Sequence, residues 1–197
     1  DETAERKAAA FLLGDNLERT TQGGGIYTYT SQQGAAAFRD TGSFDAAGSL
    51  SQENAEAFCR DFCKAFSYDT PIFTLDETGS GTATAVRLWS GTPVFNAAVT
   101  FTIDQGRVLS ASGALLPETG AETSSGQKPL SAFAALTAFQ QMRHASSSVV
   151  SSITEVSLCY ELQSTTAAPM ALVPSWRIVT DTATFYVNCI SGTVRRA

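Results

Sequence analysis

The chain has 197 residues, 43% of them hydrophobic and 16% charged, enough apolar material for one or two domains with a true core, and unlike a disordered or collagen-like chain. Thirteen Lys and Arg stand against nineteen Asp and Glu, a formal charge of -6. That balance disfavours a nucleic-acid partner, which would demand a basic stripe, and a polybasic membrane-surface role, and its plain reading is solubility.

From the N-terminus, Thr3 to Arg19 reads as a helix with Ala4, Ala8, Phe11 and Leu12 on one face, weakened at Gly14. The run Gly23-Gly-Gly25 breaks it. Ile26–Thr30 and Gly34–Arg39 read as strands joined by the turn Ser31–Gly34, with Gly42–Asp45 as a short third piece. The strongest helix signal follows, with Ser51 placed to cap a helix running to Phe66. Ala55, Phe58, Cys59, Phe62, Cys63 and Phe66 recur at helical spacing, with Glu53, Glu56, Arg60 and Lys64 off the stripe. Such a stripe needs a sheet or a broad core to lie against.

Strands are then expected at Pro71–Leu75 and Thr82–Trp89, punctuated by Thr78–Gly81 and Ser90–Pro93. Ala97, Val99, Phe101 and Ile103 alternate with Ala98, Thr100, Thr102 and Asp104, the period of a half-buried strand, and Asp104–Gly106 turns it into Arg107–Ser112. Residues 118–128 are polar and aperiodic, which predicts a linker. A second helix is expected from Ser131, with Ala132, Ala135, Leu136, Phe139 and Met142 on one face. Strands follow at Ile153–Leu162, Leu172–Thr180 and from Phe185, with a Ser191-Gly192 turn leading to a last short strand. No run approaches the roughly 18–20 apolar residues of a membrane-spanning helix.

The reactive residue types form no constellation. Cys59, Cys63, Cys159 and Cys189 lie on core-like faces and read as structural thiols; the even set also permits disulfides. The one histidine, His144, sits on the outer side of its helix near the C-terminus, without ligand spacing or a Gly-x-Ser-x-Gly elbow. Asp76 and Glu77 flank a turn, where carboxylates are simply well solvated. Gly23–Gly25 lacks the Lys-Ser/Thr ending of a phosphate loop. No catalytic, metal-binding or cofactor-binding residue is therefore assigned, and no cofactor is expected. Trp176 is expected to pack against the helix Ser131–His144. Trp89, at a strand end before Ser90-Gly91, is the candidate partner contact, as tryptophan is enriched at interface hot spots.

The C-terminal run Ile153-Thr-Glu-Val-Ser-Leu-Cys-Tyr160, Val173-Pro-Ser-Trp-Arg-Ile178 and Tyr186-Val-Asn-Cys-Ile-Ser-Gly192 resembles the end of the YycI-type (YycH/YycI) regulatory proteins of Gram-positive bacteria. Cys159 stands where that family usually has glycine, and Cys189 where it has alanine. Gly91-Thr-Pro-Val-Phe-Asn-Ala97 and Gly106-Arg-Val-Leu-Ser-Ala-Ser-Gly113 resemble PepSY-like modules and the propeptides of thermolysin-like proteases. The likeness spans roughly Ser51 to Val194. It implies an extracytoplasmic domain, tethered by a membrane helix upstream of Asp1, that regulates a two-component sensor kinase by contact. The family carries no catalytic residues to transfer.

The expectation is an α+β protein of two similar PepSY/YycI-like units, each a helix packed on a curved antiparallel β-sheet. An N-terminal helix and hairpin extension would cover 1–48, the first unit 49–117, the linker 118–128 and the second unit 129–197. The expected function is a non-enzymatic extracytoplasmic protein-interaction module with a protein partner, a membrane sensor kinase or a related regulator. It would bind no nucleic acid and meet the membrane only through a segment upstream of Asp1. The alternatives are a propeptide-like inhibitor or chaperone of a secreted peptidase and a small-ligand-binding module.

Overall fold

The computed structural model describes residues 2–51, 54–117, 128–146, 149–164 and 170–197. The expected linker, apart from Lys128, lies outside them, as does Glu53. Contacts divide the chain into two units, Asp1–Leu88 with Asn96–Ala121, and Trp89–Phe95 with Glu122–Ala197.

The first unit begins with α1 (Glu2–Leu13), which is shorter than the sequence suggests. Gly14 stops it by entering a left-handed conformation at φ 79°, where its amide still donates to Ala10 O. Glu18 and Arg19, expected to end this helix, instead open β1 (Glu18–Gly23), which pairs with β2 (Ile26–Ser31). Every residue of β1 is exposed, so it carries no apolar alternation for a sequence reading to find. β3 (Gly34–Arg39) and β4 (Ser43–Gly48) continue the antiparallel order.

α2 (Ala55–Ala65) carries the predicted stripe, with Ala55, Cys59, Phe62 and Cys63 buried. Its cap is Asn54 and not Ser51. Asn54, at φ 52°, accepts the Ala57 amide through its side chain at 3.1 Å, whereas the Ser51 amide donates to Val108 O. Asparagine tolerates the left-handed region better than most residues, which suits it to this corner. β5 (Ile72–Leu75), β6 (Gly81–Trp89), β7 (Thr92–Asp104) and β8 (Arg107–Ala114) complete the unit's elements. Two tight turns shape them. Ser90-Gly91 and Gln105-Gly106 both hold positive φ at their two central positions, the turn whose twist matches that of paired strands.

One core gathers these elements. Phe62 is fully buried, with the rings of Phe11, Phe44, Phe66, Tyr68 and Phe101 at centroid distances of 4.6–6.1 Å. Ala8 and Leu12 of α1, Tyr29, Phe38, and Val99 and Ile103 of β7 pack into the same cluster. Residues 2–48 thus supply part of the core on which α2 rests.

The second unit holds α3 (Ala132–Ser146), β9 (Ile153–Gln163), β10 (Ala171–Thr180), β11 (Thr184–Asn188) and β12 (Val194–Arg196). Ser131 caps α3 by accepting the Ala134 amide at 3.2 Å. Ala135 and Phe139 pack on Ile178, Phe185 and Val187, and Trp176 lies half-buried against that cluster. The Trp176 indole donates to Leu130 O at 2.9 Å, just before the helix, which matches the packing partner expected for it.

The α+β class holds, but the picture of two separate helix-on-sheet units does not. Among the described residues, hydrogen bonding joins the strands into one twelve-stranded sheet in the order β1-β2-β3-β4-β8-β7-β9-β10-β11-β12, with β6 and β5 branching from β7. The difference arises at β7, which starts at Thr92 and not at Ala97. Its buried positions run Val94, then Ala97, Val99, Phe101 and Ile103. The inward parity therefore shifts between Val94 and Ala97. Its early part meets β9 through the parallel pair Val94↔Tyr160.

Candidate partner-contact surface

The thiols of this fold are directed inward. All four cysteines are free and buried. Burial pushes the thiols of Cys59, Cys63 and Cys159 up to about 12, and that of Cys189 up as well, so all four stay protonated and unreactive at neutral pH. Cys159 donates to Ser175 O within the β9–β10 ladder. Tyr68 is 5% exposed, donates to Ala114 O at 2.6 Å, and its hydroxyl is pushed upward chiefly by burial.

Arg87 is the buried charge that sequence reasoning missed. It is 2% exposed, and its guanidinium donates to Phe66 O at the end of α2 and to Leu116 O at 3.2 Å, beside the Tyr68 ring. A cation at a helix C-terminus interacts favourably with the helix dipole. The residue thus clamps the α2 terminus to the chain beyond β8. Only its place on β6, where Ala83 and Ala85 at the same parity are buried, hinted at an inward position.

The acidic turn is structural. Asp76 is exposed and accepts the Thr78 amide, the Thr78 hydroxyl and the Ser80 amide at 2.8, 2.6 and 3.0 Å, which hold its carboxyl below the usual range. The Ser80 hydroxyl donates to Asp104 and accepts the Gln105 amide, so the turn is tied to the β7–β8 corner. Glu77 is exposed beside it, and His144 is exposed in the last turn of α3. Among the described residues, no group of three or more His, Cys, Asp or Glu is placed to hold a metal ion.

Several apolar and aromatic side chains also reach the surface. Trp89 is half-buried at the end of β6, at the start of the segment Trp89–Phe95 that groups with the second unit. At the end of that segment, Phe95 stacks on Tyr186 at 3.7 Å, with the Arg195 guanidinium 5.3 Å from the Phe95 ring centre. Tyr186 and Arg195 are direct cross-strand partners on β11 and β12. Beside them run the ion pairs Arg177–Glu155 at 2.8 Å and Arg195–Glu161 at 2.9 Å. Elsewhere Phe133 is 82% exposed, Val149 80% and Ile72 75%. Ile72 lies on β5, which pairs with β6 alone and leaves its other edge open among the described strands.

No family model matches the sequence, and no curated protein is similar to it at a significant level. Among solved structures, the chain is similar to the C-terminal domain of YpeB from Bacillus megaterium, at 13% identity over 100% of this chain and 96% of that one, with a TM-score of 0.44. It is also similar to an uncharacterised protein from Eubacterium rectale, at 12% identity over 96% of this chain and 75% of that one, with a TM-score of 0.49. Neither likeness assigns an activity to this chain. No helix among the described residues is long and apolar enough to cross a membrane.

Proposed function

We propose that this protein is a non-catalytic module that works by protein contact, extracytoplasmic and tethered to the membrane, with a two-component sensor kinase or a related regulator as its partner. One observation carries the contact reading. The four thiols are buried and protonated, while a few large apolar side chains are left at the surface. The thiols, Tyr68 and Arg87 are buried, whereas Phe133, Val149 and Ile72 lie largely in solvent. Side chains this exposed are available to a partner's surface, and aromatic ones contribute strongly to such contacts. The kinase, the tether and the location rest on the C-terminal YycI-type resemblance, and a PepSY-like fold rests on Gly91–Ala97 and Gly106–Gly113.

The test is site-specific photo-crosslinking in the native cell, with the probe at Trp89 or Phe133 of the full-length protein. A crosslink to a membrane sensor kinase or its associated regulator is expected. A crosslink confined to a secreted peptidase would replace this reading with that of a propeptide-like inhibitor, and no crosslink from either position would overturn the contact reading.

A further inference from the structure

β5 is the edge of the first unit's sheet where backbone groups, apolar side chains and charge coincide. The Asp76 amide donates back to Ser80 O at 2.9 Å, next to the end of the β5–β6 ladder. A side-chain Cβ placed on Gly81 would come within 2.1 Å of Thr74 O, so Thr74 turns its carbonyl toward β6. In an antiparallel pair these directions alternate residue by residue. Ile72, Thr74 and Asp76 therefore spend their backbone groups inward, while Phe73 and Leu75 present theirs to the open edge.

The side chains of this edge divide as cleanly. Phe73 packs against the core beneath the Arg60 guanidinium, 5.2 Å from its ring centre, and Arg60 itself is paired with Glu56 at 3.5 Å. Ile72, on the opposite face of the strand, is 75% exposed, and Leu75 is 37% exposed. Acidic groups stand at both ends of the strand: Asp69 before it, Asp76 and Glu77 after it, all exposed. The wider field agrees. By sequence, the first unit carries eight Lys and Arg against fifteen Asp and Glu, and the second five against four, so the acidity of the whole chain belongs to the unit that owns this edge. An open strand flanked by carboxylates repels a second copy of itself and attracts a basic strand.

We propose that the outer edge of β5 is a docking edge for an extended partner segment whose apolar side chains alternate with Lys or Arg. Main-chain bonds to Phe73 and Leu75 would supply affinity, Ile72 the apolar contact on the face opposite Phe73, and the flanking carboxylates the selectivity for basic sequence. The proposal rests on the contact reading above and adds to it a surface and a partner chemistry.

The probe is a fluorescent peptide, Lys-Val-Lys-Ile-Lys-Val-Lys, titrated into the protein by anisotropy, with amide hydrogen exchange read residue by residue. Binding is expected to slow exchange at Phe73 and Leu75. It should weaken at least about tenfold, or 1.4 kcal/mol, in Ile72→Ser, in Glu77→Lys, and when the peptide's Lys are replaced by Glu. Both protein variants change exposed side chains, and an unchanged melting temperature shows that they fold. Protection confined to β1 or β12, or equal affinity for the acidic peptide, would overturn the proposal. The two readings fail separately: if crosslinking at Trp89 or Phe133 captures the kinase and Ile72→Ser leaves that capture intact, the docking edge is refuted and the contact module stands.

Discussion

Replacing Phe62 with alanine tests the core argument at its centre. The side chain is fully buried and touches five other rings, those of Phe11 in α1, Phe44 in β4, Phe66 just after α2, Tyr68 and Phe101 in β7. Truncating a buried phenylalanine costs about 3–5 kcal/mol from lost transfer energy and the cavity left behind. Aromatic pairs add about 0.5–1.5 kcal/mol each beyond area burial, which places this site at the upper end, about 4–5 kcal/mol. A domain of this kind holds about 5–15 kcal/mol in total, so Phe62→Ala should leave little of the first unit's stability. Urea denaturation followed by far-UV circular dichroism reads the change; with a slope of about 2 kcal/mol per molar, the midpoint should fall by about 2 M. The control is Phe133→Ala, at a side chain 82% exposed, which should stay within about 0.5 kcal/mol of the parent. A loss below about 1 kcal/mol for Phe62→Ala, or an equal loss for Phe133→Ala, would refute the assignment of core and surface.

The buried thiols give a pH signature. Their folded pKa values, about 12 for Cys59, Cys63 and Cys159, lie above the ordinary 9.0, so the unfolded chain ionises first. Stability should hold below pH 9 and fall as pH rises from there toward 12. Ellman's reagent at pH 8 should label none of the four cysteines in the native protein and all four in guanidinium; fast native labelling would contradict their burial. Arg87→Ala should cost about 3 kcal/mol or more, because Phe66 O and Leu116 O lose their donor inside the core; a thermal melt within a degree of the parent would contradict the clamp. Trp176→Phe keeps most of the apolar contact but loses the bond to Leu130 O, so about 1 kcal/mol should disappear, read as faster amide exchange in the first turn of α3.

Much of the local structure was legible in the sequence, for a physical reason that also explains the failures. The α2 stripe of Ala55, Cys59, Phe62 and Cys63 and the alternation from Ala97 to Ile103 are strong because one face of each element is wholly buried. β1 was invisible because it buries nothing. The cap at Asn54 was missed because serine and asparagine cap equally well, so residue type does not choose between Ser51 and Asn54, and the left-handed backbone at Asn54 is not written in composition. The single sheet was hidden by β7, whose inward parity changes between Val94 and Ala97 and breaks the period that a strand reading follows. Trp89 ends β6, as its place before Ser90-Gly91 implied, and is half-buried there. The open edge of β5 could not be read, because which strand lacks a neighbour depends on pairing across the whole sheet.

The measurement that tests the contact claim most directly is a titration of the full-length protein into native membranes, with sensor-kinase autophosphorylation as the readout. A partner that acts by contact should change kinase activity in proportion to occupancy and reach a plateau near one protein per kinase. No change at saturation, or an effect that grows with time at far less than one equivalent, would contradict the account.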